Sequence, residues 1–226
     1  VRHELKQRGL ALSGILITHW HPDHIGGLAS LSKEFQIPVY GPAAEAARIP
    51  GLTHALRESD RVNVLDLDLT VWEVPGHTLG HIACVGKDFV LCGDTLFSAG
   101  CGRLFEGTAE MMHRSLSRFL SLPDHTLVYC THEYTLANLA FAITVEPESK
   151  TVQDEIARVR QLRTQNRPSL PTRIGHERRI NPFLRADAPA VAQAAVRHAG
   201  HELDSPMAVF AALRLWKDGF RTPPGF

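Results

Sequence analysis

At 226 residues and 25.0 kDa, with 44% of its residues hydrophobic, the chain is long enough to bury a core and lies between one large domain and two small ones. Its 24 basic and 24 acidic side chains cancel, which argues against a partner held by bulk charge, so neither nucleic acid nor a membrane surface is expected. The anomaly is 13 histidines beside five lysines, because histidine combines metal ligation with proton transfer near neutrality.

In chain order, Val1 to Gly9 reads as the end of an amphipathic helix stopped by glycine, and Leu10 to Thr18 as a strand. Residues 24 to 35 resume helical spacing with Leu28, Leu31 and Phe35, and 37 to 41 form a short buried strand. Short β segments follow at Val62 to Leu65, Leu69 to Val74, His81 to Val85 and Phe89 to Cys92, the last two joined as a hairpin. Thr108 caps a helix with Met112, Leu116, Phe119 and Leu120 on one face, Thr126 to Cys130 is a buried strand, and a helix lies near 135 to 144. After Pro147 strand signals stop. Ser149 to Gln165, 187 to 199 and 205 to 219 are helices, and Arg167 to Arg185, with no clear period, reads as an ordered connection. The expected division is therefore 1–147 and 148–226, two sheets with helices outside followed by a helical domain. Splitting the chain at Lys150 also splits the charge, with 12 basic and 17 acidic residues before the cut and 12 and 7 after it. Cys84, Cys92, Cys101 and Cys130 form no CxxC pair and read as reduced, packed thiols. No apolar run approaches the ~18 residues of a membrane helix and no signal peptide is visible, so the expectation is cytoplasmic.

The histidines are not evenly spread. Thr18-His19-Trp20-His21-Pro22-Asp23-His24 puts three imidazoles and a carboxylate on one short loop after a strand, more than one tetrahedral metal takes while keeping an open position, so two metals are plausible from this loop alone. Pro75-Gly76-His77-Thr78-Leu79-Gly80-His81 puts His77 in a turn, Gly93-Asp94-Thr95 ends a buried strand in a carboxylate, and Thr131-His132-Glu133 ends another in an imidazole. His81 reads as bracing its turn and Glu133 as orienting its neighbours. Imidazole with carboxylate suits Zn, Fe or Mn.

HxHxDH, PGHTxGH, GDT and HEYT, in this order, resemble the metallo-β-lactamase superfamily, and Ser98-Ala99-Gly100-Cys101-Gly102-Arg103-Leu104-Phe105-Glu106-Gly107-Thr108 resembles the stretch that marks its glyoxalase II branch, the hydroxyacylglutathione hydrolases. The resemblance continues through Asn181-Pro182-Phe183-Leu184-Arg185 to Arg214-Leu215-Trp216-Lys217-Asp218. It implies an αββα sandwich with a C-terminal all-helical domain, the sandwich lacking its first strands because the family has two or three strands before the helix that ends here at Gly9. One sheet would then expose an edge, and the chain should be less stable than one with those strands restored. By position, the resemblance implies one metal on His19, His21 and His77, a second on Asp23, His24 and His132, and Asp94 bridging them. It places Arg103, Phe105, Tyr134, Arg214 and Lys217 around glutathione; Phe105 lacks the hydroxyl of the family's usual tyrosine, and Thr131 stands where glycine is common.

Two neighbouring cations bring the pKa of a shared water to about 7, supplying hydroxide at neutral pH, and a thioester's thiolate leaves without a dedicated acid. Asp23 would orient that hydroxide. The expected function is hydrolysis of S-(2-hydroxyacyl)glutathione, typically S-D-lactoylglutathione, to glutathione and a 2-hydroxy acid such as D-lactate, in methylglyoxal detoxification. The expected cofactors are two divalent ions per chain, Zn foremost, and the expected state is a monomer whose partner is the small thioester. The competing readings are a persulfide dioxygenase of the same superfamily, with one iron, and a non-catalytic metal-bound fragment.

Overall fold

Alternating apolar residues generate two sheets stacked face to face. The computed structural model describes residues 1–226. In order the elements are α1 (Arg2–Arg8), β1 (Ile15–Leu16), α2 (Pro22–Ile25), α3 (Leu28–Phe35), β2 (Val39–Pro42), a 3-10 turn (Ala43–Arg48), β3 (His54–Leu56), β4 (Arg61–Val64), β5 (Leu67–Glu73), β6 (Ile82–Val85), β7 (Phe89–Gly93), β8 (Leu96–Phe97) and β9 (Gly100–Cys101). There follow α4 (Ala109–Phe119), β10 (Leu127–Cys130), α5 (Thr135–Val145), α6 (Lys150–Thr164), β11 (Thr172–Arg173), α7 (Ile174–Ile180), a 3-10 turn (Pro182–Leu184), α8 (Pro189–Ala199) and α9 (Pro206–Gly219).

The larger sheet has the order β11-β10-β7-β6-β5-β4 and the smaller the order β1-β2-β3, all parallel. Successive side chains of β5, β6 and β7 go to opposite faces. Leu69, Val71, Ile82 and Cys84 pack with Val62 and Leu56 between the sheets, while Val74, Ala83, Val90 and Cys92 face Met112, Leu116 and Phe119 of α4. Beneath α3, Ile17, Leu28, Val39 and Ile49 close the outside of the smaller sheet. The layers are thus helix, sheet, sheet, helix. Phe210 and Leu213 of α9 and Val191 of α8 join the same cluster as α4, so the C-terminal helices share a core with the larger sheet.

Three expectations are corrected. Only Ile15 and Leu16 of the Leu10–Thr18 run form a ladder, because β2 offers partners only at Val39 and Tyr40. The helix expected over 24 to 35 is two, broken at Gly26-Gly27, where Gly26 N–H closes the first turn on Pro22 O. The connection 167–185 contains β11, α7 and a 3-10 turn. No period marks α7 because polar bonds fix it: Asn181 caps the following turn and Glu177 is fully buried among donors.

Candidate metal and substrate site

Every metal-ligand candidate lies just past a strand or at the start of a short helix along one edge of the stack. His19 follows β1, His77 follows β5, Asp94 follows β7 and His132 follows β10. The sheets are tied at this edge by Ile82 N–H donating to Thr18 O at 2.9 Å. Pro22 at the start of α2 sets the turn that carries Asp23 and His24 back over His19.

The structure brings all seven predicted ligands together. His21 Nδ1 stands 3.1 Å from His19 Nε2 and 3.0 Å from His77 Nε2. His77 Nδ1 lies 2.9 Å from Arg103 O, a contact only a ring N–H can make, which leaves the His77 Nε2 lone pair facing inward. Asp94 lies between two groups: its Oδ2 is 3.5 Å from both His77 Nε2 and His132 Nε2, and its Oδ1 is 3.3 Å from His24 Nε2. Asp23 Oδ2 is 3.5 Å from His24 Nε2 and 3.4 Å from His132 Nε2. Potential ligand atoms of His19, His21 and His77, of His19, His24 and Asp94, and of Asp23, His24 and His132 each fall within 4.8 Å of one another.

These groups fit a divalent cation better than they fit each other. Three imidazole nitrogens converge at one point with no donor able to satisfy all of them, and His24 Nε2 is buried without a hydrogen bond. Burial, then the nearby His81 and His24, holds His19 neutral, the form that ligates. Burial opposes ionisation of Asp94, but His24 and Thr131 outweigh it and keep the carboxyl well below the usual range.

His81 accepts Asp94 N–H at 3.1 Å and lies 3.2 Å from the Thr95 hydroxyl. Thr131, in place of a common glycine, donates its hydroxyl to Asp94 Oδ1 at 2.5 Å, a role that spacing did not reveal. Glu133 is bonded by Ser169 and lies outside the cluster.

A 510 Å³ cavity joins this cluster to a cationic end. His21, Asp23, His77, Asp94 and His132 line it together with Arg103, Phe105, Tyr134, Arg214 and Lys217, all singled out from sequence. Arg214 is 3% exposed, donating to Cys101 O at 3.2 Å and Asp218 Oδ1 at 2.9 Å, with its Nε unpartnered. Lys217 donates to Ala137 O at 2.9 Å, and burial, then the Arg214 charge, lowers its ammonium to about 8. Tyr134 stacks on His132 at 4.9 Å, and Phe105, 62% exposed, sets its edge against His21 and His77. Phe97, Cys101, Ala137 and Asn138 also line the cavity, and no motif drew attention to Phe97, Ala137 or Asn138.

Residues 2–132 match the family model of the metallo-beta-lactamase superfamily and residues 133–220 that of the hydroxyacylglutathione hydrolase C-terminus. A hydroxyacylglutathione hydrolase of Nitrosomonas europaea is 49% identical, aligned over 96% of this chain and 83% of its own. One of Alkalilimnicola ehrlichii is 51% identical over 96% and 85%. Among solved structures, ETHE1 from Myxococcus xanthus is similar with a TM-score of 0.60 at 26% identity, covering 96% of this chain and 81% of that one. No helix is long and apolar enough to cross a membrane.

Proposed function

Because the chain belongs to the hydroxyacylglutathione hydrolase family of the metallo-beta-lactamase superfamily, we propose that it hydrolyses S-(2-hydroxyacyl)glutathione, typically S-D-lactoylglutathione, to glutathione and the 2-hydroxy acid. The observation that carries this reading is one cavity with a convergent imidazole and carboxylate cluster at one end and two buried-stem cations at the other. A glutathione thioester has the matching polarity, with carboxylates on the peptide and a reactive carbonyl at the sulfur.

His19, His21 and His77 would hold one divalent ion and Asp23, His24 and His132 a second, with Asp94 shared. Zinc is the leading candidate and iron or manganese is compatible with the same donors. When bound, such ions polarise the thioester carbonyl and make water acidic enough to attack at neutral pH. The chain's own residues do the rest. Arg214 and Lys217 take a glutathione carboxylate, Tyr134, stacked on His132, offers its hydroxyl to the glutathione backbone, and Phe105 sets an apolar ring against His21 and His77. Asp23, at the mouth of the cluster, orients the attacking water and accepts its proton. The thiolate is a good leaving group and departs unprotonated.

In this reading residues 1–147 carry the metals and 148–226 the substrate cations, although both share one core cluster. The proposed setting is the cytoplasm, whose reducing conditions suit four free cysteines, with the chain acting as a monomer in methylglyoxal detoxification. The test is loss of thioester absorbance with metal-loaded protein, run beside oxygen uptake with glutathione persulfide. Thioester turnover without oxygen uptake is expected. A folded, fully metallated sample that leaves the thioester intact sinks the proposal.

A further inference from the structure

Glu45 lies in the 3-10 turn between β2 and β3, outside the cavity, and is 4% exposed. No cation is bonded to it; three donors are. Trp20 N–H reaches its Oε2 at 2.7 Å, and the Thr78 hydroxyl and Gly80 N–H reach its Oε1 at 2.5 and 3.1 Å. Trp20 sits between His19 and His21, and Thr78 directly follows His77. One carboxylate therefore joins the two segments that supply the three-imidazole set; His24 follows on the same loop as Trp20, but neither residues 22–24 nor the segment carrying His132 bonds Glu45 directly.

The approach is close enough to dictate sequence. A Cβ at Gly80 would stand 2.5 Å from Glu45 Cγ and 2.9 Å from Ala44 Cβ. Glu106 repeats the tie from the outer side, accepting the Trp20 indole N–H at 3.2 Å and Leu79 N–H at 2.9 Å, but it is also paired with Arg48 at 2.6 Å. A buried carboxylate without a counter-ion is costly, and its hydrogen bonds offset that cost only while the donors keep their positions. Such a group makes the relative placement of two loops rigid.

We propose that Glu45 is a positioning residue that clamps the His19-Trp20-His21 segment to the His77-Thr78-Leu79-Gly80 segment and so sets the cation affinity of the three-imidazole set, leaving the Asp23, His24 and His132 set as it is. The inference rests on the reading that these imidazoles hold metal. A merely structural carboxylate would weaken both sets together or neither.

Apo protein is titrated with Co(II) against a competing chelator, and paramagnetically shifted ring N–H signals report each set of histidines. In Glu45→Ala the three-imidazole set is expected to lose about 10- to 100-fold in affinity, the range for lost supports of metal ligands, and the other set to stay within about twofold. Glu45→Gln, which keeps an acceptor oxygen, should recover part of the loss. Thr78→Val removes one bond of the three and shifts the same set in the same direction by less, which decides the matter if Glu45→Ala does not fold. Equal weakening of both sets, or an unchanged three-imidazole set in folded variants, overturns the clamp alone. A wild-type chain that takes up no cobalt overturns the metal reading and the clamp together.

Discussion

At one end of the cavity five imidazoles and two carboxylates crowd together, and none of them is bonded to a lysine or arginine side chain. At the other end Arg214 and Lys217 are already bonded, to Cys101 O, Asp218 and Ala137 O. The first region is incomplete as a set of side chains: its ring nitrogens face one another, with at most a ring N–H to lie between them. In the second the cations are already held by acceptors of the chain, with Arg214 Nε still unpartnered, and a carboxylate of the proposed substrate adds bonds to a preformed arrangement. Loss of a group should therefore act on turnover in the first region and on affinity in the second.

The largest expected effect tests the first half of that contrast. His77→Ala removes a nitrogen from the three-imidazole point, and the several kcal/mol of charge stabilisation that a metal supplies corresponds to a loss of about 10³-fold in kcat/KM. Far-ultraviolet circular dichroism should stay unchanged while bound metal falls. A variant that keeps wild-type turnover would place the chemistry elsewhere in the cavity.

The second half predicts a different signature. Lys217→Met should raise KM about 10- to 100-fold, the worth of a hydrogen bond to a charged group, with kcat little changed. The same lysine gives a pH dependence of known sign. It is cationic below about 8 and neutral above, so substrate binding should be flat at lower pH and weaken as pH rises through that value. Lys217→Arg should move the weakening to higher pH, and an alkaline limb unchanged in that variant would remove Lys217 from the carboxylate site.

The smallest effect lies on the boundary between the two regions. Phe105→Tyr restores a hydroxyl at the rim, and one added hydrogen bond of about 1 kcal/mol should lower KM about fivefold without touching metal content. An unchanged KM would mean that the ring serves only as the apolar cover of His21 and His77.

The ligand set was legible because its residues are chemically unusual where they stand. Three imidazoles within six positions have no ordinary packing role, and a carboxylate or imidazole ending an apolar strand stands out against its surroundings. Two sheets with helices outside were legible from the many short β segments flanked by helices, and αββα from the family resemblance; in the structure the two faces of β5, β6 and β7 carry separate clusters. Other features were hidden. Strand lengths in the smaller sheet depend on which residues of a neighbour are in reach, so Leu10 to Thr18 looked like a longer strand than Ile15–Leu16. Glycine propensity at 26 and 27 was outweighed in the reading by the helical spacing of Leu28, Leu31 and Phe35 that follows, and α7 has too few turns and too many polar anchors to show a period.

Residue type and order determined the candidate chemistry: which side chains could ligate a metal, which strands alternate, which helix carries Arg214 and Lys217 one turn apart. These are properties of a side chain and its near neighbours along the chain. Only the tertiary structure decided that Thr131 would hold Asp94, that Asn138 and Cys101 would line the same cavity as His132, and that Glu45, 33 positions from Thr78, would tie two histidine loops together. Each of those roles depends on a donor and an acceptor brought within about 3 Å by elements distant in sequence, and no local spacing encodes that distance.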